Sequence, residues 1–151
     1  MNYPDVAKQT RIETDLLKIL IEGLRSTLAW EVKDGSFSRK LATLRFITHS
    51  FQRHMEHLMA LEEYDGYMDI VLETKPNLEK AVNSLKQDHD EFRKELGRIL
   101  HQVDFVAPPD QVKFTKICND LKTLLLKLEV HTKKEADIFQ EAFEQEEGGE
   151  G

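Results

Sequence analysis

Several things are scarce in this chain, and each shortage removes a class of function. Of its 151 residues one is cysteine, Cys118, so no disulfide framework can form and a reducing cytoplasm is the expected compartment. No apolar run approaches the ~20 residues needed to cross a bilayer. The opening Met1-Asn2-Tyr3-Pro4-Asp5 lacks the basic and apolar regions of a secretory signal, so export is not expected. Lys and Arg are interspersed with a larger number of acids, for a net charge of -7. Without a concentrated basic face, neither nucleic acid nor an anionic membrane surface is an expected partner. There is no phosphate-cradling glycine loop, no CxxC pair and no nucleophile-base-orienter set, and the chain is expected not to be an enzyme.

What is present is helical periodicity, punctuated by the few glycines and prolines. The first helix is expected over about residues 7–32, with Leu17, Leu20, Ile21, Leu24 and Leu28 on one face and a stop at Asp34-Gly35. Ser36 or Ser38 can cap the second, whose stripe reads Leu44, Thr48, Phe51, Met55, Leu58, Glu62 before Asp65-Gly66 breaks or bends it. A short continuation over residues 67–73 leads to Thr74-Lys75-Pro76, where a third helix starts. Its stripe is Leu78, Val82, Leu85, His89, Phe92, Leu96, Ile99, Val103. After Ala107-Pro108-Pro109-Asp110 a fourth gives Phe114, Ile117, Leu121, Leu124, Leu128, His131, Glu135, Ile138, Ala142. Short connections between long amphipathic helices imply an all-α, up-down-up-down four-helix bundle. One domain over residues 1–143 is expected, followed by an acidic, glycine-rich tail over residues 144–151 too polar to pack.

Four ionisable groups interrupt these apolar stripes: Glu62, His89, His131 and Glu135. A charge on a core face costs several kcal/mol unless it is paired or bound to metal. Glu62 and His89 lie about equally far from the bend near Lys75, so they should face each other in an antiparallel hairpin. His131 and Glu135 stand one turn apart and can reach one point. Imidazole with carboxylate suits iron, manganese or zinc. The levels of the last two helices agree less well, since His131 lies about seven residues further from their turn than His89, an offset of ~10 Å. His54, His49 and His101 read as packing or surface residues, Glu63 as the solvated neighbour of Glu62, Cys118 as a small hydrophobe, and Trp30, Tyr64 and Tyr67 as packing at helix ends.

At these residues the sequence resembles the hemerythrin-like (HHE cation-binding) family, and most closely its bacterial single-domain members. The matching stretches are Leu61-Glu62-Glu63-Tyr64-Asp65-Gly66-Tyr67-Met68, Leu85-Lys86-Gln87-Asp88-His89 and His131-Thr132-Lys133-Lys134-Glu135. The resemblance implies His89 and His131 as terminal metal ligands, with Glu62 and Glu135 as former bridging groups. The departures are specific. Family members usually carry a histidine on the first helix, absent here, and one on the second helix four residues before the glutamate, where this chain has Leu58. His57 is one residue away, rotated by about 100°, and reaches inward only if that helix is distorted. The second histidine of the third helix would fall at Arg93. The resemblance thus implies a degenerate domain binding one metal ion, with iron foremost and manganese or zinc as alternatives, or none. Its role would be metal or oxygen sensing or storage; a full di-iron centre for oxygen carriage is not expected. The alternative is a metal-free interaction module that kept the fold.

Two other bundle classes fit worse. Ferritin-like di-iron proteins need Glu-x-x-His steps, and the residues three before His89 and His131 are Lys86 and Leu128. Histidine phosphotransfer domains need an exposed histidine, whereas His131 falls on a core stripe.

Overall fold

The structure, a computed structural model, describes residues 3–33, 37–64 and 66–148. Asp34-Gly35, Ser36 and Asp65, named above as breaks or caps, lie outside the described residues, as do residues 149–151 of the expected tail. Four long helices and one short one make the fold: α1 (Tyr3–Leu28), α2 (Ser38–Glu63), α3 (Tyr67–Thr74), α4 (Glu79–Phe105) and α5 (Gln111–Gly148), with a 3₁₀ turn at Pro76–Leu78. The fold is a four-helix bundle of α1, α2, α4 and α5, and no strand occurs among the described residues. No described helix is long and apolar enough to cross a membrane.

The helix ends show what sequence periodicity misses. The first helix stops at Leu28 and not near residue 32, because the Lys40 ammonium donates to the carbonyls of Leu28 (3.0 Å) and Trp30 (2.8 Å). Those carbonyls would otherwise be orphaned at a helix end. Ser38 is the first helical residue of α2 rather than its cap. The preceding Phe37 is buried and stacks on Phe114, ring centroids 4.5 Å apart, which pins the start of α2 to the start of α5. At the head of α5, Asp110 Oδ1 accepts from the Lys113 N–H at 3.1 Å, the expected side-chain cap.

The α4 stripe is buried at every position read from the sequence. On α2 the stripe shifts by one near its end: Met59 is buried, while Leu58 is only partly so. The apolar interior divides into a long cluster and a short one. Phe92 and Leu128 belong to the first, Leu85 and Ile138 to the second. His89, His131 and Glu135 fall between those residues in sequence, and Glu62 falls between Met59 and Met68. A polar layer therefore crosses the bundle where the two clusters meet.

Candidate metal centre

The layer draws Glu62 from α2, His89 from α4, and both His131 and Glu135 from α5. His89 is fully buried and His131 is 3 % exposed. Glu135 follows His131 by four residues on α5, so both point to the same side. The rings of His89 and His131 lie 5.0 Å apart. The level offset expected between their helices is thus closed. Side chains lean toward the N-terminus of their own helix, so His131 leans back toward the α4–α5 turn and His89 leans away from it.

Both imidazoles bind a carboxylate through Nδ1. His89 Nδ1 is 3.3 Å from Glu63 Oε1, and His131 Nδ1 is 2.8 Å from Asp88 Oδ2. Burial acts to raise the Glu63 carboxyl, but hydrogen bonds and charge from Arg93, with help from His89, hold it below the ordinary carboxylate range. Burial acts likewise on Asp88, and His131 and Lys134 outweigh it. An ionised carboxylate only accepts, so Nδ1 of each ring carries the proton and Nε2 faces inward. His131 Nε2 comes within 2.6 Å of Glu135 Oε1 without hydrogen-bond alignment, and His89 Nε2 lies 3.9 Å from the same oxygen. Neither Nε2 has a hydrogen-bond partner. One ligand atom from each of His89, His131 and Glu135 falls within 4.8 Å of the others, and these three residues can hold a metal ion.

Glu62 lies beside this group. Its Oε2 and the hydroxyl of Tyr67 are buried without hydrogen-bond partners. Burial, then the negative charge of Glu135, pushes the Glu62 carboxyl well up. Burial and the charges of Glu62 and Glu135 push the Tyr67 phenol up as well. Glu135 goes the other way: burial would raise it, but His131 and His89 hold it low. His131 is itself raised, since the negative charge of Glu135 beside it and the hydrogen bond to Asp88 outweigh its burial. Orphaned polar atoms are rare in folded interiors. Here two imidazole nitrogens, a carboxylate oxygen and a phenol are orphaned together in one layer, as expected of a cavity shaped for an ion.

The other histidines are elsewhere. His57 does not join this group: its side chain is 53 % exposed and its Nδ1 bonds to Glu13 Oε1 at 2.7 Å. His54 Nδ1 takes the other oxygen of Glu13, also at 2.7 Å. Glu13 is buried on α1 and was missed from the sequence, although it stands four residues before Leu17 on the same stripe. Its carboxyl is lowered, burial being outweighed by His54 and His57. A depressed carboxylate stabilises the fold above its unfolded pKa, and that contribution fades as pH falls through the lower folded value. Glu13→Gln, which leaves one imidazole N–H without an acceptor, is expected to cost about 1–3 kcal/mol at pH 7 in urea unfolding. The difference from the parent should shrink below about pH 4.

Three further readings change. Glu63 is not solvated: it binds Arg93 through both oxygens, at 3.1 and 2.6 Å. Tyr64 is 74 % exposed and Trp30 is also exposed, so neither packs. Tyr67 turns into the polar layer. Nothing in its sequence position signals this except its nearness to Glu62. His49 pairs with Asp104 at the surface, His101 lies tilted against Phe105, and Cys118 is buried, its thiol raised by burial.

Two inward imidazoles and carboxylates gathered at one level of a helical bundle are a donor set that can hold a metal ion. The family model for the hemerythrin HHE cation binding domain matches residues 7–143, and the chain belongs to that family. No curated protein and no solved structure matches the chain.

Proposed function

We propose that this domain binds one divalent transition-metal ion, iron foremost, with His89 Nε2, His131 Nε2 and Glu135 as ligands and Glu62 as a fourth. The observation that supports it most is the pair of buried Nε2 atoms, aimed at one carboxylate and left without partners. Carboxylates at Nδ1 set the tautomer and orientation that metal-binding histidines use. A bound ion supplies positive charge and Lewis acidity at the layer; the protein's part is to keep the site dry and the donors fixed. Single occupancy follows from what replaces the second half of the family's pattern. Leu58 stands at one lost ligand position, and at another Arg93 puts a guanidinium, held by Glu56 at 3.0 Å and by Glu63. A fixed cation there opposes a second metal ion. We read the role as holding the ion, for sensing or storage in a reducing cytoplasm, rather than catalysis.

Titrating ion-free protein with Fe(II), Mn(II) and Zn(II) by calorimetry tests this. One ion per chain with proton release is expected. No saturable binding of any of the three would leave the metal-free interaction module as the reading. Arg93→Met adds a finer check. It strips Glu63 of its cation and loosens the acceptor of His89, so Zn(II) affinity in a chelator competition should fall by about 10–100-fold.

A further inference from the structure

The polar layer forms part of the wall of a cavity of about 700 Å³ that opens between α1 and α5. That size lies within the range of small-molecule sites, which are mostly apolar with a few convergent polar groups. Leu17, Ile21, Leu58, Leu125, Leu128 and Phe139 are among its apolar lining residues. Three threonines also face it, yet they add little polarity. Thr10, Thr14 and Thr132 turn their hydroxyls onto carbonyls of their own helices, at 2.8, 2.8 and 2.9 Å, so those hydroxyl protons are already committed. Its α1 wall runs from Val6 to Arg25, roughly 28 Å along the helix axis, so the space is long.

The mouth is basic. Lys18 and Lys133 line it, both exposed, and neither has an acid within ion-pairing distance among the described residues. Arg25 and Glu129 pair with each other across the same seam and fix its register. Lys18 lies about 10 Å before Arg25 along α1, and Lys133 about 6 Å beyond Glu129 along the antiparallel α5. The backbone positions of the two lysines therefore fall within one helical turn of the same level, one on α1 and one on α5. Two unpaired cations above a long apolar cavity match an anionic head on an apolar chain.

We propose that this cavity binds a free long-chain monocarboxylate, with its carboxylate between Lys18 and Lys133 and its chain along Leu17, Ile21 and Leu128. Such an occupant would cover the open side of the polar layer. The site does not depend on a bound ion, so it stands or falls separately from the metal reading.

Calorimetric titration of the full chain with dodecanoate tests it. One saturable site is expected, present in ion-free protein. In the Lys18→Glu/Lys133→Glu double variant affinity should fall tenfold or more. Ala136→Trp, which places an indole in the cavity on an exposed helix face, should abolish binding while leaving the thermal unfolding transition in place. Dodecanol should bind more weakly than dodecanoate to the parent and equally to the parent and the charge variant. The proposal is overturned by any of three results: no saturable binding, dodecanoate affinity unchanged in both variants, or capture by phosphatidylglycerol vesicles without binding of the free acid.

Discussion

His131→Ala is expected to lower ion affinity on the order of 100-fold, so that protein purified without added metal carries about one ion per chain in the parent and close to none in the variant. Elemental analysis for iron, manganese and zinc measures it directly. In the proposed site His131 would supply one ligand, and it lies 2.6 Å from Glu135, so its loss would disturb two of the three convergent donors. His57→Ala is the control. Its side chain sits on Glu13, and the metal content should stay at the parent value. Equal metal content in the parent and His131→Ala would remove the site.

The same residue gives the site a pH signature with two opposite signs. His131 is raised above its ordinary value and Glu62 well above its own. A group raised in the fold contributes stability that is complete below its unfolded pKa and is lost as pH rises through the folded one. Ion-free protein should therefore lose stability as pH climbs from about 6.5, the ordinary histidine value, through the raised pKa of His131. An ion needs the deprotonated imidazole, so its affinity should run the other way, falling about tenfold per unit once pH drops below that raised value. Thermal unfolding with and without Zn(II) across pH 6 to 9 would show the two curves diverging as pH rises. Parallel curves would mean that the ion binds elsewhere.

The helix stripes were legible wherever apolar packing alone decides burial. Every α4 position from Val82 to Val103 lies as its periodicity requires, and His89 was visible because it alone broke the pattern. His131 and Glu135 were legible for a related reason, being one turn apart on a face that is otherwise apolar. What stayed hidden depends on partners from other helices. Glu13 reads as an ordinary acid on α1 until His54 and His57 close over it from α2. Glu63 reads as solvated until Arg93 reaches across from α4. Equal distance from the bend puts Glu62 opposite His89, but the acid at His89 Nδ1 is Glu63, while Glu62 lies against Glu135 and Tyr67. Equal distance from a turn fixes a level. It does not choose between two adjacent acids whose directions differ by about 100°.

The junction that sorts those two acids carries the second large prediction. Gly66, between α2 and α3, has an ordinary φ of -102°, so its need for glycine is not conformational. The need comes from crowding. A Cβ there would stand 2.0 Å from the Leu61 carbonyl oxygen and 2.8 Å from that of Glu62, both backbone atoms that cannot swing aside. Gly66→Ala must therefore push the start of α3 away from the end of α2, at a cost of about 3 kcal/mol in urea unfolding. The fully buried Met68 and Val71, which seat α3 in the short apolar cluster, resist that shift. Tyr67 and Glu62 flank the junction, so Zn(II) affinity should fall with stability. Gly97→Ala gives the contrast, since nothing lies within 4 Å of the added carbon in the middle of α4. It should stabilise the fold by about 0.5–1 kcal/mol through reduced backbone entropy of the unfolded chain and leave Zn(II) affinity unchanged. If Gly66→Ala instead unfolds like the parent, the close approach of α2 and α3 is not what orients Glu62 and Glu63.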